Sequence, residues 1–578
     1  MFLSAIGIIY CIFFGFANLI RFKNNISFHS FLILNVYSSL FISWYFFLII
    51  FYFSFQYQFL IYVAIIGALL PIWFQREKIS IDIHNILGFV FLAAIAFGLA
   101  YASIKAKYYS SIFDFSDALV TWNRWAIEFF SGRYGSGSSA YTFFWPSVWS
   151  LVYVAQGTPD IWIVAKATTF AFPVFVGLTA MVLLGSRLYL SAIFYTIFVF
   201  GHYFYLSVGS TTWAPNIPLY ALTVGFMDAP VAVLIVLAGT LLIAAKVESN
   251  AGNSSSAYLT AIGGALAAGI AGITKQSGLL ICVLYLAAVP FLLNPLFSLR
   301  RYILLIFLIV SPFVGYAIMH KMHGGTFAGN LAYLSALTAR VRGDANTYVY
   351  AWNLLALHIG TIPLVAMVAI GAANVLFFKN PVQLLGAVFL ICAGFSFVSF
   401  AGCCAYHERN GWGAVSFMVL SDIAFLAKWV VARDLFRPFL VSRRSISIAI
   451  AGIFVVLAGA GAAYFPDEKL LQLQQEKQFK IAGGDISKIT EDIFYKNETI
   501  PIVTAIQVAA WVPRLRERTR ICPANNNDCL KRVVSENKKV FLLTNEKSAD
   551  LRFDLSEFGD RAKKLFEQNQ IAVYEITR

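Results

Sequence analysis

The sequence predicts an all-α polytopic membrane protein of about 14 transmembrane helices, followed by a small C-terminal soluble α/β domain. Three observations carry that prediction. Of 578 residues, 59% are hydrophobic and only 12% charged, with a mean hydropathy of +0.73. So few charges cannot cover a water-facing surface. Apolar runs long enough to cross a bilayer recur from the first residues to about position 465. From Asp467 onward the composition changes, and this tail holds 17 of the 29 acidic and 19 of the 43 basic residues. Such a tail is nearly neutral and has the composition of an ordinary soluble domain.

The apolar runs begin near residues 3, 31, 58, 85, 160, 188, 217, 257, 278, 302, 351, 382, 413 and 445. No basic stretch or small-residue cleavage site accompanies the first run, so it reads as a retained span. Arg21 and Lys23, Arg76 and Lys78, Arg187, Lys246, Arg300 and Arg301, Lys379 and the Lys428 to Arg444 group fall in alternate loops. The excess of basic residues assigns those loops to the cytoplasm. Parity then places both termini outside, together with the loops at 105–159, 206–216, 275–277, 320–350 and 402–412. Short basic loops of this kind are orientation signals, and nothing in them indicates a nucleic-acid partner.

The tail reads as a polar helix over 467–480, strands at 500–504, 539–544 and 571–577, and a helix over 560–568. At roughly 110 residues it can bury a modest core. Cys522 and Cys529 close a short polar loop within it, which suggests a disulfide and an oxidising compartment, with two free thiols as the alternative. Cys11, Cys282 and Cys392 lie in apolar runs and read as small core residues.

The first long outer loop contains Phe113-Asp114-Phe115-Ser116-Asp117-Ala118-Leu119-Val120-Thr121-Trp122-Asn123-Arg124-Trp125-Ala126. Apolar positions 119, 122, 125, 126 and 129 share a helical face, with Asn123, Arg124 and Glu128 elsewhere, so this segment reads as an interfacial helix. Asp117 falls in its first turn, where a helix N-cap is the structural alternative to a chemical role.

Asp117-Ala118-Leu119, followed by Trp122 to Ala126, resembles the first-loop acidic motif of the GT-C superfamily of integral membrane glycosyltransferases, which includes protein O-mannosyltransferases and aminoarabinose transferases. Three more segments follow in the family's order. Tyr141-Thr142-Phe143-Phe144-Trp145-Pro146-Ser147 resembles the Tyr-Pro-rich approach to the next span. Gly225-Phe226-Met227-Asp228-Ala229-Pro230 is similar to a Gly-Tyr-Ala-Asp-Leu-Pro segment, and Thr274-Lys275-Gln276-Ser277-Gly278 to Thr-Lys-Gln-Glu-Gly. The resemblance covers roughly residues 85 to 290. The family's frequent Asp-Glu pair is absent: Ala118 follows Asp117, and a second acid, Asp114, lies three residues earlier, which leaves open which aspartate is the base.

The resemblance implies three regions: N-terminal additional spans over 1–84, a GT-C-like catalytic domain over 85–465 and the soluble domain over 466–578. It also implies an inverting transfer of a sugar from a polyprenyl-phosphate donor to a glycan, lipid or protein acceptor. That chemistry needs a carboxylate to take the acceptor's proton and cations to stabilise the departing phosphate. Asp117 is the candidate base, and Asp114 a supporting acid or a solvated loop residue. Lys275 is a phosphate contact or a lysine snorkelling from a helix end. Asp228 is a functional intramembrane acid or the partner of Lys275. Tyr141, Arg409 with its neighbours His407 and Glu408, and Arg340 and Arg342 complete the substrate-binding candidates, with anionic lipid as the alternative ligand of the last two.

No cofactor motif is present. Asp114 and Asp117 leave a divalent cation open on a thin basis. Two other functions fit a chain with this many spans. One is a transporter or flippase of lipid-linked glycans; against it stand the absence of matching halves and the one-sided distribution of long loops. The other is a lipid-linked glycan polymerase or ligase using a diphosphate donor. The expected location is a bacterial inner membrane with the site and tail in the periplasm, and an endoplasmic-reticulum lumen follows the same logic.

Overall fold

The computed structural model describes residues 26–53, 78–81, 113, 118–134, 141–168, 227–252, 254–292, 298–325, 345–377, 380–403, 405, 408–430, 439–442, 493–497, 499–505, 518–522, 524, 527–546, 552–568 and 571–578. The chain divides into two compact units, one of Met1–Phe113 with Trp122–Asp467 and one of Asp114–Thr121 with Glu468–Arg578.

The larger unit is helical. A short strand β1 (Ile26–Ser27) leads into α1 (Phe28–Phe53). β1 pairs in parallel with β2 (Lys78–Ile81), which pairs antiparallel with β3 (Phe439–Ser442). α2 (Arg124–Phe130) is preceded by a π-helical turn, Ala118–Asn123, whose first four residues are assigned to the smaller unit. Then follow α3 (Phe144–Gln156), α4 (Trp162–Ala167), α5 (Asp228–Asn250) and α6 (Ser254–Thr274). A single 3₁₀ turn, Gln276–Gly278, separates α6 from α7 (Leu279–Leu292), and α8 is Leu299–Met322. The remaining helices are α9 (Ala345–Ile359), α10 (Thr361–Leu376), α11 (Pro381–Cys403) and α12 (Trp412–Val430).

Among the described residues four helices are long and apolar enough to cross a membrane, or five if the α9–α10 pair, bent by 107°, counts as one span. The protein is an integral membrane protein. The spans expected near 3, 58, 85, 188 and 445 lie outside the described residues, as does the polar helix expected over 467–480.

Helix packing follows membrane rules. α8 leaves Leu299, Ile303, Phe307, Val314, Ile318 and Met322 exposed, a stripe suited to acyl chains because lipid does not penalise apolar surface. α6, rich in small residues, instead packs closely on its neighbours. A Cβ added at Gly269 would lie 2.6 Å from the carbonyl oxygen of Leu308 on α8. Some buried polar side chains find backbone partners, which suits a medium without water: Ser43 donates to the Leu40 carbonyl at 2.7 Å, and Asn374 on α10 donates to the Ser421 carbonyl on α12 at 2.8 Å.

Within the segment 105–159, which the sequence reading assigns to an outer loop, residues 144–156 form a helix buried along its whole length. Thirteen residues span only about 20 Å, too short for a bilayer, so a hydropathy length criterion passes over them. The buried Ser147 and Ser150 donate to the carbonyls of Phe144 and Ser147.

In the smaller unit, β4 (Ile502–Thr504), β5 (Thr519–Ile521), β6 (Lys539–Asn545), β7 (Ala562–Gln568) and β8 (Ile571–Thr577) form one sheet in the order β5-β4-β6-β8-β7. The first three are mutually parallel, and β8 and β7 are antiparallel additions. Alternate residues serve the two faces. Val503, Val540, Leu542 and Ile576 pack with Leu530, Val533 and Val534 of a helix, α13 (Asn527–Glu536), while Ile502, Phe541, Leu543 and Val573 pack with Phe494. Cys522 and Cys529 form a disulfide with a Cα separation of 5.6 Å, joining the end of β5 to α13. The helix expected over 560–568 is instead a 3₁₀ turn, Gly559–Arg561, and strand β7. Pairing of six of its residues with β8, with a bulge at Leu565, outweighs the local helical preference of Lys563, Lys564 and Leu565.

Candidate functional site

α5 and α6 are 23 and 21 residues long and are joined by a short turn. They pack against each other, so the first residue of α5 and the residue after α6 lie level. Asp228 and Lys275 occupy those two positions and form an ion pair. Their side chains are 10% and 17% exposed respectively.

Lys275 leaves the helix in an extended conformation, φ −157° and ψ 154°, and the chain turns at once into the 3₁₀ turn, with the Gly278 N–H donating to the Lys275 carbonyl at 2.9 Å. Gly278 makes that turn feasible. A Cβ there would fall 2.1 Å from the Ala271 carbonyl oxygen, a contact no side chain could relieve.

Tyr141, just ahead of α3, presents its ring 6.0 Å from the Lys275 ammonium, within range of a cation–π interaction. Trp122 meets Tyr141 edge-on at 5.6 Å and Trp125 at 5.1 Å. Lys275 has three donors, and its ion pair with Asp228 leaves the others for an anionic oxygen. The arrangement is a half-buried cation, steered by a carboxylate and walled by aromatic rings.

Two polar groups that sequence reading passed over flank this wall. Asn123, next to Trp122, is 0% exposed and accepts a hydrogen bond from the Tyr153 hydroxyl, but its Nδ2 is buried without a partner. Thr142, next to Tyr141, is buried with an unpartnered hydroxyl. Asn123 had been expected on the polar side of the α2 segment, while Trp122, Trp125, Ala126 and Phe129 are buried and Arg124 is exposed, ion-paired to Glu128 at 2.9 Å. Buried polar groups without partners are uncommon and call for an explanation such as a bound molecule. Their only signal in the sequence is adjacency to the tryptophan and tyrosine of the motifs. Lys166 on α4 was also passed over; it is fully buried, with its ammonium 5.7 Å from the Phe113 ring centroid.

Asp114, Asp117, Arg340, Arg342 and His407 lie outside the described residues. Glu408 and Arg409 fall in the 3₁₀ turn Glu408–Gly411 that precedes α12. Among the described residues no group of three His, Cys, Asp or Glu side chains is placed to hold a metal ion.

One solved structure can now be set beside the fold. It is the crystal structure of ArnT from Cupriavidus metallidurans bound to undecaprenyl phosphate, similar at a TM-score of 0.47 and 13% sequence identity over 84% of this chain and 97% of that one. No protein-family model and no curated protein sequence matches the chain.

Proposed function

We propose that the chain is an inverting glycosyltransferase of the GT-C kind, moving a sugar from a polyprenyl-phosphate donor to a glycan, lipid or protein acceptor. The observation that carries this reading is the meeting of Trp122, Tyr141, Asp228 and Lys275. Each comes from a different one of the four segments that resemble the family's motifs, and they meet as ion pair, cation–π contact and ring contact.

Asp117 takes the proton of the acceptor hydroxyl, and the acceptor oxygen attacks the anomeric carbon from the face opposite the phosphate. The bond from that carbon to the phosphate oxygen breaks, and the polyprenyl phosphate leaves with the electron pair. Lys275 stabilises the charge growing on that phosphate, and Asp228 holds Lys275 in position. Asp114 supports the base, and Arg409, Arg340 and Arg342 are further cations for the phosphate, with His407 and Glu408 beside the first. A divalent cation would need Asp114 and Asp117 together, and no step above requires one.

The site and the soluble unit are assigned to the outer face, a periplasm in a bacterial inner membrane. The Cys522–Cys529 disulfide supports an oxidising compartment for the soluble unit.

The test is a transfer assay on the purified full-length protein with a panel of polyprenyl-phosphate sugars, with donor consumption read by mass spectrometry. One donor should be consumed, and Asp117→Asn should lower turnover by roughly 10²–10⁴-fold, the usual size of a general-base effect. Near-parental turnover in folded Asp117→Asn removes that residue as the base. Donor left intact across a full panel of acceptors removes the glycosyltransferase reading.

A further inference from the structure

Helices α9 and α10 meet at Gly360, whose φ of 86° turns the chain, and their axes are bent by 107°. The packing of α10 shows where along the bundle this bend falls. Gly371 of α10 lies opposite Leu390 of α11, and Asn374, one turn further on, lies opposite Gly386. The two helices are therefore antiparallel, and with an equal rise per residue Gly360 comes level with the last turn of α11, which ends at Cys403. The bend sits at one end of the bundle. The 16 residues of α10 already cover about 24 Å, most of a hydrocarbon core of about 30 Å.

α9 lies across that end. Ala351, Leu355 and Ile359, spaced by four, are buried. Leu355 and Phe400 converge on Gly411, where an added Cβ would lie 2.7 Å from the first and 3.1 Å from the second. Trp352 meets Phe397 edge-on at 6.3 Å. The buried stripe of α9 thus rests on the last turns of α11 and on the turn Glu408–Gly411.

The opposite side of α9 is open. Val349 and Tyr350 are each 57% exposed, and Asn346 and Asn353 are exposed with them. Two asparagines against acyl chains would forfeit their hydrogen bonds, while a valine and a tyrosine gain nothing from open water. The headgroup layer suits both kinds of side chain, and tyrosine is enriched there. Around the bend the exposed surface turns apolar, with Ile362 and Val365 on α10 and Ile391 and Phe395 on α11. The open face of α9 is therefore continuous with a surface suited to lipid.

We propose that α9 is an interfacial helix, lying flat in the lipid–water interface at this end of the bundle with its mixed face among phospholipid headgroups, and that α10 alone makes the crossing. The proposal is independent of the glycosyltransferase reading.

Depth measurements on the full-length protein in vesicles of phosphatidylethanolamine and phosphatidylglycerol test it. A nitroxide carried on p-acetylphenylalanine, which leaves the native cysteines untouched, is placed singly at 346, 349 and 353 on α9 and at 362, 365 and 369 on α10. Collision rates with oxygen and with a water-soluble nickel chelate report each label's depth. The three α9 labels should share headgroup depth to within about 3 Å, whereas the α10 labels should sink by about 1.5 Å per residue. A steady change of depth along α9 at the α10 rate makes α9 part of the crossing and overturns the proposal. Collision rates on α9 equal to those of free label in water, or shielding from both reagents by a second copy or another protein, also overturn it.

Should a labelled variant fail to fold, the parental protein is photolabelled with two phospholipids, one carrying a diazirine in the headgroup and the other at the end of an acyl chain. Mass spectrometry should then place the headgroup label on 346–353 and the acyl-chain label on 391–395. Acyl-chain labelling of 346–353, or no lipid labelling there, overturns the proposal.

Discussion

Lys275 and Asp228, 47 residues apart in sequence, form an ion pair that closes the α5–α6 hairpin at the end opposite its turn. The pair is mostly withdrawn from water, so its two members depend on each other. Removing either should destabilise the protein by about 3–5 kcal/mol, since the survivor becomes an uncompensated charge. Thermal melts of Lys275→Met, Asp228→Asn and the double variant check this, and the double variant should recover most of the stability. Transfer should stay lost in all three. A double variant that regains transfer would show the pair to be purely structural.

Tyr141 separates ring from hydroxyl. Tyr141→Phe keeps the ring against Trp122 and Lys275, and its kcat/KM should stay close to the parental value. Tyr141→Ala removes an aromatic pair and a cation–π contact, together worth about 1–3 kcal/mol, so kcat/KM should fall roughly 10- to 100-fold. Equal loss in both variants would point to the hydroxyl instead.

Gly278 and Gly394 form a matched test of close packing. A Cβ at Gly278 would meet a backbone oxygen at 2.1 Å, whereas one at Gly394 on α11 has nothing within 4 Å. Gly278→Ala should cost about 1–3 kcal/mol through forced backbone displacement and should weaken donor handling by moving Lys275. Gly394→Ala should be neutral or stabilising by up to about 1 kcal/mol, from helix propensity. Melting curves of the two variants, with donor KM alongside, check both statements.

The Cys522–Cys529 disulfide closes a short loop in the smaller, C-terminal unit. Loop-closure entropy predicts that Cys522→Ser with Cys529→Ser lowers that unit's stability by about 2–3 kcal/mol. In native protein a water-soluble maleimide should label neither cysteine until reductant is added, and buried Cys282 and Cys392 should stay unlabelled throughout. Labelling at Cys529 before reduction would contradict the disulfide.

Much of the membrane architecture was legible because long apolar helices record their environment directly: α6, α7, α8, α11 and α12 lie where hydropathy places them. Short elements were not legible. α3 is buried by its neighbours without being long enough to register as a span, and β7 is a strand because β8 offers it a partner. Both outcomes depend on contacts distant in sequence, to which a local pattern is blind.

The candidate site divides along the same line. The sequence by itself determined that the chain is a membrane protein, that Tyr141, Asp228 and Lys275 lie in segments worth examining, and that Asp228 is either a functional acid or the partner of Lys275. Only the tertiary structure decided that Asp228 and Lys275 are partners, that Tyr141 and Trp122 join them, and that Asn123, Thr142 and Lys166 are buried. The physical reason is that side-chain identity and spacing along one chain specify what a residue can do. Which residue it faces is set by the antiparallel pairing of α5 with α6 and by the packing of α3 and α4, and those relations exist only once the helices have assembled.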